Sequence, residues 1–391
     1  MNVQEPAACR DHTAAIGWRS MAPPKRRSTK IKGDANAGAL TAADPATPSL
    51  MEEEQRVIAV TGAYSFLGSR LIQQLEQDRR YYKILALDIR KPQTPLHKTQ
   101  FHRVDLTMPT ADSELSQILI REGVDTLVHA AFLSEPTHQT AWAHELESIG
   151  TLHVLAAAAA AKVKNLIVWS QTLVYGAHPS NPNYLNEDHP LRGEQSRSRY
   201  VRDKAETEKQ IRRFRSDHPA CNTMVLRTAP ILGPTIRNWV SRFFCRPIAP
   251  VMMGYDPLIQ LVHERDVVEV FTKAVAQPMA GEFNIVGPGV LPYSMVLGRL
   301  GRVRFPLPYR IAYSLSRLLW ATQVYDTPPN FLDFLRYMCV ADGAQAEQQL
   351  GFVGRYDVRQ ILDDFLGVYE PPDHEAQQVR GERSDESVFV T

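Results

Sequence analysis

Cysteine is scarce in this chain. The four among its 391 residues (Cys9, Cys221, Cys245 and Cys339) are scattered, with no C-x-x-C and no histidines beside them at ligand spacing. The pattern is that of a reduced, cytoplasmic protein without structural zinc, and no metal site is expected. Long apolar runs are missing as well. The best, Val154 to Ala161, is far too short to cross a bilayer, so no transmembrane segment is expected. Charge of one sign is also absent: 44 Lys and Arg face 43 Asp and Glu, for a formal net charge of +1. That balance offers no global attraction for nucleic acid or an anionic membrane, and no nucleic-acid partner is expected. No internal repeat is visible. The chain is 44% hydrophobic and 22% charged, which suits a soluble globular protein with a sizeable core in one large or two smaller domains.

Both ends differ from the middle. Residues 1–54 hold Pro23-Pro24, the basic cluster Lys25-Arg26-Arg27 and an Ala/Pro/Thr-rich run without apolar periodicity, and read as a disordered extension. Met51 stands just before EEEQRVIAVTG, and Glu5, Asp11 and Asp34 count against a transit peptide. Residues 371–391 read as a polar, disordered tail.

What organises the chain is residues 56–90. The apolar run Val57-Ile58-Ala59-Val60 has the length and β-branched content of a buried parallel strand. A Thr-Gly turn follows, then an amphipathic helix from near Phe66 with Leu67, Leu71, Ile72 and Leu75 on one face. A second apolar run, Ile84 to Leu87, ends in Asp88. Strand, turn, helix, strand and terminal acid make a dinucleotide-binding unit: helix N-terminal N–H groups meet a pyrophosphate, and the acid accepts from the adenosine ribose. The glycine pattern is T-G-x-x-G-x-x-G with Gly62 and Gly68 present and Ser65 in the middle position. The serine hydroxyl is expected to offer its own donor to a phosphate. Asp88 favours NAD, because a carboxylate there repels a 2′-phosphate, while Arg90 leaves NADP open. An ordinary strand-to-helix turn is the plain structural alternative for this unit alone.

From residue 55 onward strand and helix alternate. Expected strands are Phe101 to Leu106, Asp125 to Ala131, Asn165 to Ser170 and Thr223 to Arg227; expected helices are Ser113 to Arg121, Ala141 to Ala161 and Tyr200 to Arg215. This rhythm implies an α/β fold, a Rossmann-type doubly wound parallel sheet over 55–232. Its ligand belongs at the carboxyl ends of the strands, where Gly62, Asp88, Asp105, Ala130 and Ser170 fall. Beyond Gly233 the rhythm breaks down, and residues 233–370 read mainly as a smaller substrate-binding part. It includes Phe283 to Val286 and the helical stretch Tyr309 to Thr322.

Tyr200 and Lys204 stand four residues apart, on one face of a helix. A free tyrosine, with a pKa near 10, is a poor base at neutral pH, and a neighbouring ammonium is expected to favour its phenolate. Tyr200 would then exchange a proton with a substrate hydroxyl or carbonyl while hydride moves to or from a nicotinamide, with Lys204 also holding the nicotinamide ribose. His129 and His263 sit in apolar strands and read as core histidines. The stripe Ile311, Leu315, Leu318, Leu319 reads first as core; with Tyr309, Trp320 and Tyr325 it is also a candidate for lining an apolar pocket or resting on a bilayer.

From about Arg56 to Tyr369 the chain resembles the extended short-chain dehydrogenase/reductases of the NAD-dependent epimerase/dehydratase family. The resemblance rests on TGAYSFLG, Asp88, Asp105-Leu106, HAA at 129–131, VYG at 174–176, NEDHPL at 186–191 and YVRDK at 200–204. It continues with LRTAPILGP at 226–234, LVHERDVV at 261–268, FNIVGPG at 283–289 and QQLGF at 348–352. It implies an enzyme with bound NAD, NADP remaining open. The cofactor would lie against Gly62, Ser65, Phe66, Leu67, Gly68, Asp88, Asp105, Leu106, Ala130, Ala131, Ser170, Tyr200 and Lys204, with Asp105 at the adenine amine. It also implies a possible homodimer through a four-helix bundle.

Departures from the family pattern bear on substrate. Where the family has Ser or Thr four residues before the VYG tyrosine, polarising the substrate oxygen, this chain has Gln171, flanked by Ser170 and Thr172. Gln171 and Thr172 are the candidate replacements beside Tyr200 and Lys204. A helix asparagine is replaced by Glu147, the asparagine after the sixth strand by Pro230, and a diphosphate-gripping arginine by Ile259. The expected reaction is hydride transfer at a secondary alcohol or ketone carbon, first of a nucleotide sugar. The alternatives are an apolar hydroxy or keto compound (lipid, sterol or polyketide) and a non-catalytic NAD-binding regulator.

Overall fold

A computed structural model describes residues 56–91, 96–323 and 328–368. The expected extension 1–54, the tail 371–391 and Tyr325 lie outside the described residues. Six strands come first: β1 (Arg56–Thr61), β2 (Tyr81–Asp88), β3 (Thr99–Arg103), β4 (Thr126–His129), β5 (Asn165–Gln171) and β6 (Asn222–Thr228). Next are β7 (Ile231–Leu232), β8 (Ile248–Met252), β9 (Leu258–Ile259), β10 (Val262–His263), β11 (Gly281–Ile285), β12 (Leu291–Pro292) and β13 (Val303–Leu307). The main sheet has the order β11-β6-β5-β4-β1-β2-β3, and every pairing in it is parallel. Chain order reverses at β1, whose neighbours are β2 and β4; that switch point is where a doubly wound sheet opens a crevice for ligand.

Period-two alternation divides the strand residues between two cores. Ile58 and Val60 face one side with Leu67, Leu71, Ile72 and Leu75 of α1 (Phe66–Gln77), whereas Ala59 faces the other. That second layer holds α2 (Ala111–Glu122), a helix in pieces that includes α3 (Thr140–His144) and α4 (Gly150–Ala160), and α5 (Arg199–Asp217). Each fully buried leucine contributes roughly 2 kcal/mol, so the apolar runs are the main reason these strands stay central.

Three expectations need correcting. The third strand stops at Arg103 because the Asp105 carboxylate accepts from the Thr107 N–H (3.0 Å) and hydroxyl (2.7 Å), turning the chain off the sheet. The helix expected over 141–161 is interrupted by a π-helical turn, Glu145–Ile149, which advances the register and aims Glu147 inward. The Phe283 stretch belongs to β11, the seventh strand of the main sheet, rather than to a separate part. With α7 (Glu264–Ala276) it packs into the same core as α1.

The remaining C-terminal elements surround a third core of Val240, Phe244, Leu261, Tyr293, Leu297, Ile361 and Phe365. They include α6 (Trp239–Cys245), α8 (Tyr293–Arg299), α9 (Tyr309–Ala321) and α10 (Val358–Leu366). Reciprocal capping boxes start α6 at Asn238 and α10 at Asp357, each satisfying otherwise orphaned helix N–H groups. No described helix is long and apolar enough to cross a membrane.

Candidate active site

The glycine turn sits at the switch point. Gly62 has φ +70°, and a Cβ there would lie 2.6 Å from the Ala130 carbonyl oxygen; one on Gly68 would lie 2.2 Å from the Gly62 oxygen. Only glycine lets β1, the turn and α1 approach so closely. Ser65 has an extended backbone (φ −65°, ψ 161°), so that position imposes no left-handed conformation. Its Oγ accepts from the Gly68 N–H at 3.0 Å and makes it the N-cap of α1, while its own proton stays available to a ligand. Serine is therefore a cap here rather than a flaw. Phe66 and Leu67 form the first turn of the helix, and Ala130 and Ala131 pass directly under Gly62.

Asp88 ends β2 with its carboxylate oriented by the N–H groups of Tyr64 (2.9 Å) and Arg90 (3.1 Å). Asp105 lies in the turn after β3, and the Leu106 carbonyl accepts from His153 at 3.1 Å. The turn, the acid and the small residues gather at the switch point, with the N-terminus of α1 packed close against β1 because Gly62 and Gly68 carry no Cβ. These residues fit a dinucleotide.

Tyr200 and Lys204 share one face of α5, as their spacing predicts, but their electrostatics reverse the expectation. Lys204 Nζ donates to both oxygens of Glu147 at 3.1 Å, and both side chains are buried. Glu147 Oε1 also accepts from the Leu133 N–H at 2.7 Å. Burial pushes the Glu147 carboxyl up, against the pull of the ammonium and that N–H. The Tyr200 hydroxyl donates to the Leu133 carbonyl at 3.0 Å, with Gln171 Oε1 at 3.5 Å as a second acceptor. Burial and then the Glu147 charge hold the phenol well above its ordinary pKa, not below it. The ammonium expected to activate Tyr200 is already balanced by a carboxylate.

Other expected site residues divide. Gln171 reaches Tyr200, and Thr172 is buried beside it at the end of β5. Ser170, expected at the cofactor, turns the other way, because its hydroxyl donates to Glu208 Oε1. Glu208 pairs with fully buried Arg227, whose guanidinium also donates to Tyr175 Oη at 2.8 Å and the Glu187 carbonyl at 3.1 Å. Ser170 and the VYG tyrosine thus belong to a structural network. His129 is held by Thr61 and Thr151, and His263 by Asp364, so both are partnered core histidines. No group of three or more potential metal ligands exists among the described residues.

A cavity of about 250 Å³ runs from Ser65, Phe66 and Leu67 past Gln171 and Thr172 into the C-terminal elements. Its walls are mainly apolar, with Trp169, Trp239, Phe243, Phe244, Ile259 and Phe331 prominent. Arg237 is the one charged side chain among the described lining residues, and it donates to the backbone carbonyls of Pro234 and Thr235. Tyr200 lies just behind this wall, its ring 6.0 Å from that of Phe331. Sequence reasoning missed the Glu147–Lys204 pair and the Phe331 wall. Both join positions far apart in the chain, and no local pattern signals them.

A glycine turn at the switch point, an acid at the end of β2 and a Tyr-x-x-x-Lys helix define a Rossmann-type, dinucleotide-dependent class of protein. The chain belongs to the NAD dependent epimerase/dehydratase family, whose profile matches residues 58–286. An uncharacterized protein of Mycobacterium tuberculosis is 28% identical over 318 residues, covering 80% of this chain and 83% of that one. Similar solved structures include dTDP-glucose 4,6-dehydratase from Streptomyces venezuelae with NAD and TYD bound (19% identity, TM-score 0.62, 80% of this chain and 96% of that one). UDP-glucose 4-epimerase from Thermotoga maritima with UDP-glucose is another (18% identity, TM-score 0.61, 80% and 98%). At these identities the likeness is one of fold.

Proposed function

We propose that the protein is an NAD-dependent oxidoreductase acting at a secondary alcohol or ketone carbon of an apolar substrate. The observation that carries this reading is the cavity beside the glycine turn, with its aromatic and aliphatic walls and a single charged lining residue. A buried diphosphate needs cationic or N–H partners, and Pro230 and Ile259 supply neither side-chain charge nor donor. Bound NAD supplies a hydride acceptor or donor. The N–H groups around Ser65, Phe66 and Leu67 would hold its pyrophosphate, Asp88 its adenosine ribose, and Asp105 and Leu106 its adenine. Residues 233–370 contribute most of the substrate walls. Tyr200 turns its hydroxyl from the Leu133 carbonyl to the substrate oxygen and exchanges the proton there, with Gln171 as the adjoining polar group. Burial and the Glu147 charge, with the Lys204 ammonium already balanced by that carboxylate, keep the phenol protonated, which suits delivery of a proton to a carbonyl oxygen.

A second reading, a nucleotide-sugar substrate, is favoured by the structural relatives bound to UDP-glucose or TYD. Melting temperatures with NAD plus UDP-glucose or dTDP-glucose, and with NADH plus a long-chain 2-alkanone or a decalone, followed for the ketones by NADH consumption at 340 nm, separate the two. Stabilisation and turnover by an apolar ketone, lost in Tyr200→Phe, support the proposal. Stabilisation by a nucleotide sugar alone overturns it.

A further inference from the structure

The most unusual surface lies on α9 and β13. An amphipathic helix normally turns its apolar stripe inward. On α9 the buried residues are Ala312 and Ser316, while Ile311, Leu315 and Leu318 are 55%, 43% and 61% exposed. These three recur at i, i+4 and i+7 and form one outward stripe. Immediately before the helix, Val303 and Phe305 of β13 are also exposed, as is Ile248, the register partner of Val303 on β8. Successive odd positions of a strand share a face, so these three side chains form a second apolar strip running into the helix.

The charge of this region is as one-sided as the whole chain is balanced. Residues 283–325 contain five arginines (Arg299, Arg302, Arg304, Arg310 and Arg317) and no Asp, Glu or Lys. Arg299 is paired with Asp363 on α10. Arg304, Arg310 and Arg317 are exposed, and none forms an ion pair with a described residue. Arg310 and Arg317 stand seven residues apart and so flank the same side of the Ile311–Leu318 stripe. An outward apolar stripe bordered by arginines, with no carboxylate nearby in sequence, matches the physics of a helix lying in an anionic lipid interface.

We propose that α9 and β13 form a docking surface for an anionic bilayer, with Ile311, Leu315, Leu318, Val303 and Phe305 entering the acyl boundary and the arginines meeting lipid phosphates. The inner face of α9 carries Ser316, which lines the apolar cavity, and Tyr313, which bonds Asp333 on the segment Pro329–Leu335. That segment supplies Phe331, Phe334 and Leu335 to the cavity wall. The docking surface therefore backs the cavity, although its test is independent of what the cavity binds.

The test is co-sedimentation of the full chain with phosphatidylcholine vesicles and with vesicles containing 30% phosphatidylserine. Binding is expected at least about tenfold tighter to the anionic vesicles and weakened by salt. Arg310→Gln with Arg317→Gln should weaken it roughly thirtyfold, at about one basic residue's attraction each. Leu315→Glu with Leu318→Glu should abolish it, and Leu318→Ser should weaken it; each variant must keep the parent melting temperature and NADH affinity. Absent binding, equal binding to neutral vesicles, or arginine variants that bind like the parent overturn the proposal. So does a dimer by light scattering that the leucine variants break, which would assign the face to a second copy. None of these outcomes bears on the apolar-substrate reading.

Discussion

Replacing Glu147 by Gln should convert Tyr200 from a protonated phenol into one that ionises at lower pH. Lys204 Nζ lies 4.7 Å from the centre of the Tyr200 ring. At about 5 Å and an effective dielectric of about 20, an unbalanced ammonium favours a phenolate by roughly 3 kcal/mol. In the parent protein the Glu147 carboxylate, bonded to that ammonium through both oxygens, cancels most of this attraction. Gln keeps an oxygen for the Leu133 N–H and for Lys204, but removes the charge. The other charged groups nearby are unchanged: Asp203, held by His144 and Arg199, and Glu135, paired with Arg242. The assay is a pH titration of protein labelled with 13C at tyrosine Cζ, with the Tyr200 resonance assigned by its loss in Tyr200→Phe. An unpaired buried ammonium should also cost about 3–5 kcal/mol of stability in urea unfolding, and Glu147→Gln with Lys204→Met should recover most of it. A Tyr200 resonance that titrates identically in parent and Glu147→Gln would refute the reasoning.

Further outcomes follow from the same geometry. Gly62→Val should abolish the fluorescence change of NADH on binding, because its Cβ would sit 2.6 Å from the Ala130 oxygen; saturable binding would show that the cofactor site lies elsewhere. Arg227→Met leaves Glu208 charged and buried, and should lower unfolding free energy by about 3–5 kcal/mol; a change under 1 kcal/mol would contradict the network. Burial pushes the His129 imidazole down to about 3, so the unfolded chain binds a proton below pH 6.5 that the folded one refuses. Stability from this group is complete above pH 6.5 and falls by about 2 kcal/mol between pH 6.5 and 5, a slope that His129→Gln should remove in urea titrations at each pH.

The doubly wound sheet was legible because parallel strands buried on both faces must be short apolar runs, and β1, β2, β5 and β6 are such runs. The glycine turn, Asp88 and the Tyr200–Lys204 spacing were legible because each is a local device, set by a backbone conformation or a single helical turn. Local patterns also fixed their own limits. The third strand was read too long because apolar Val104 and Leu106 continue the alternation, while the Asp105 side chain that bends the chain leaves no apolar signature. The π-helical turn went unseen because one extra residue in a helix leaves its composition unchanged.

Sequence by itself determined the sheet, its switch point and the residues that face it, through side-chain periodicity and a turn only glycine can make. Tertiary structure decided how those residues behave. Glu147 meets Lys204 across 57 positions, and Ser170 turns to Glu208 across 38. Ser65 proves to be a cap, and α9 turns its apolar stripe outward. The reason is that a side chain's charge state and exposure are set by neighbours brought together through folding, and those neighbours are distant in the chain.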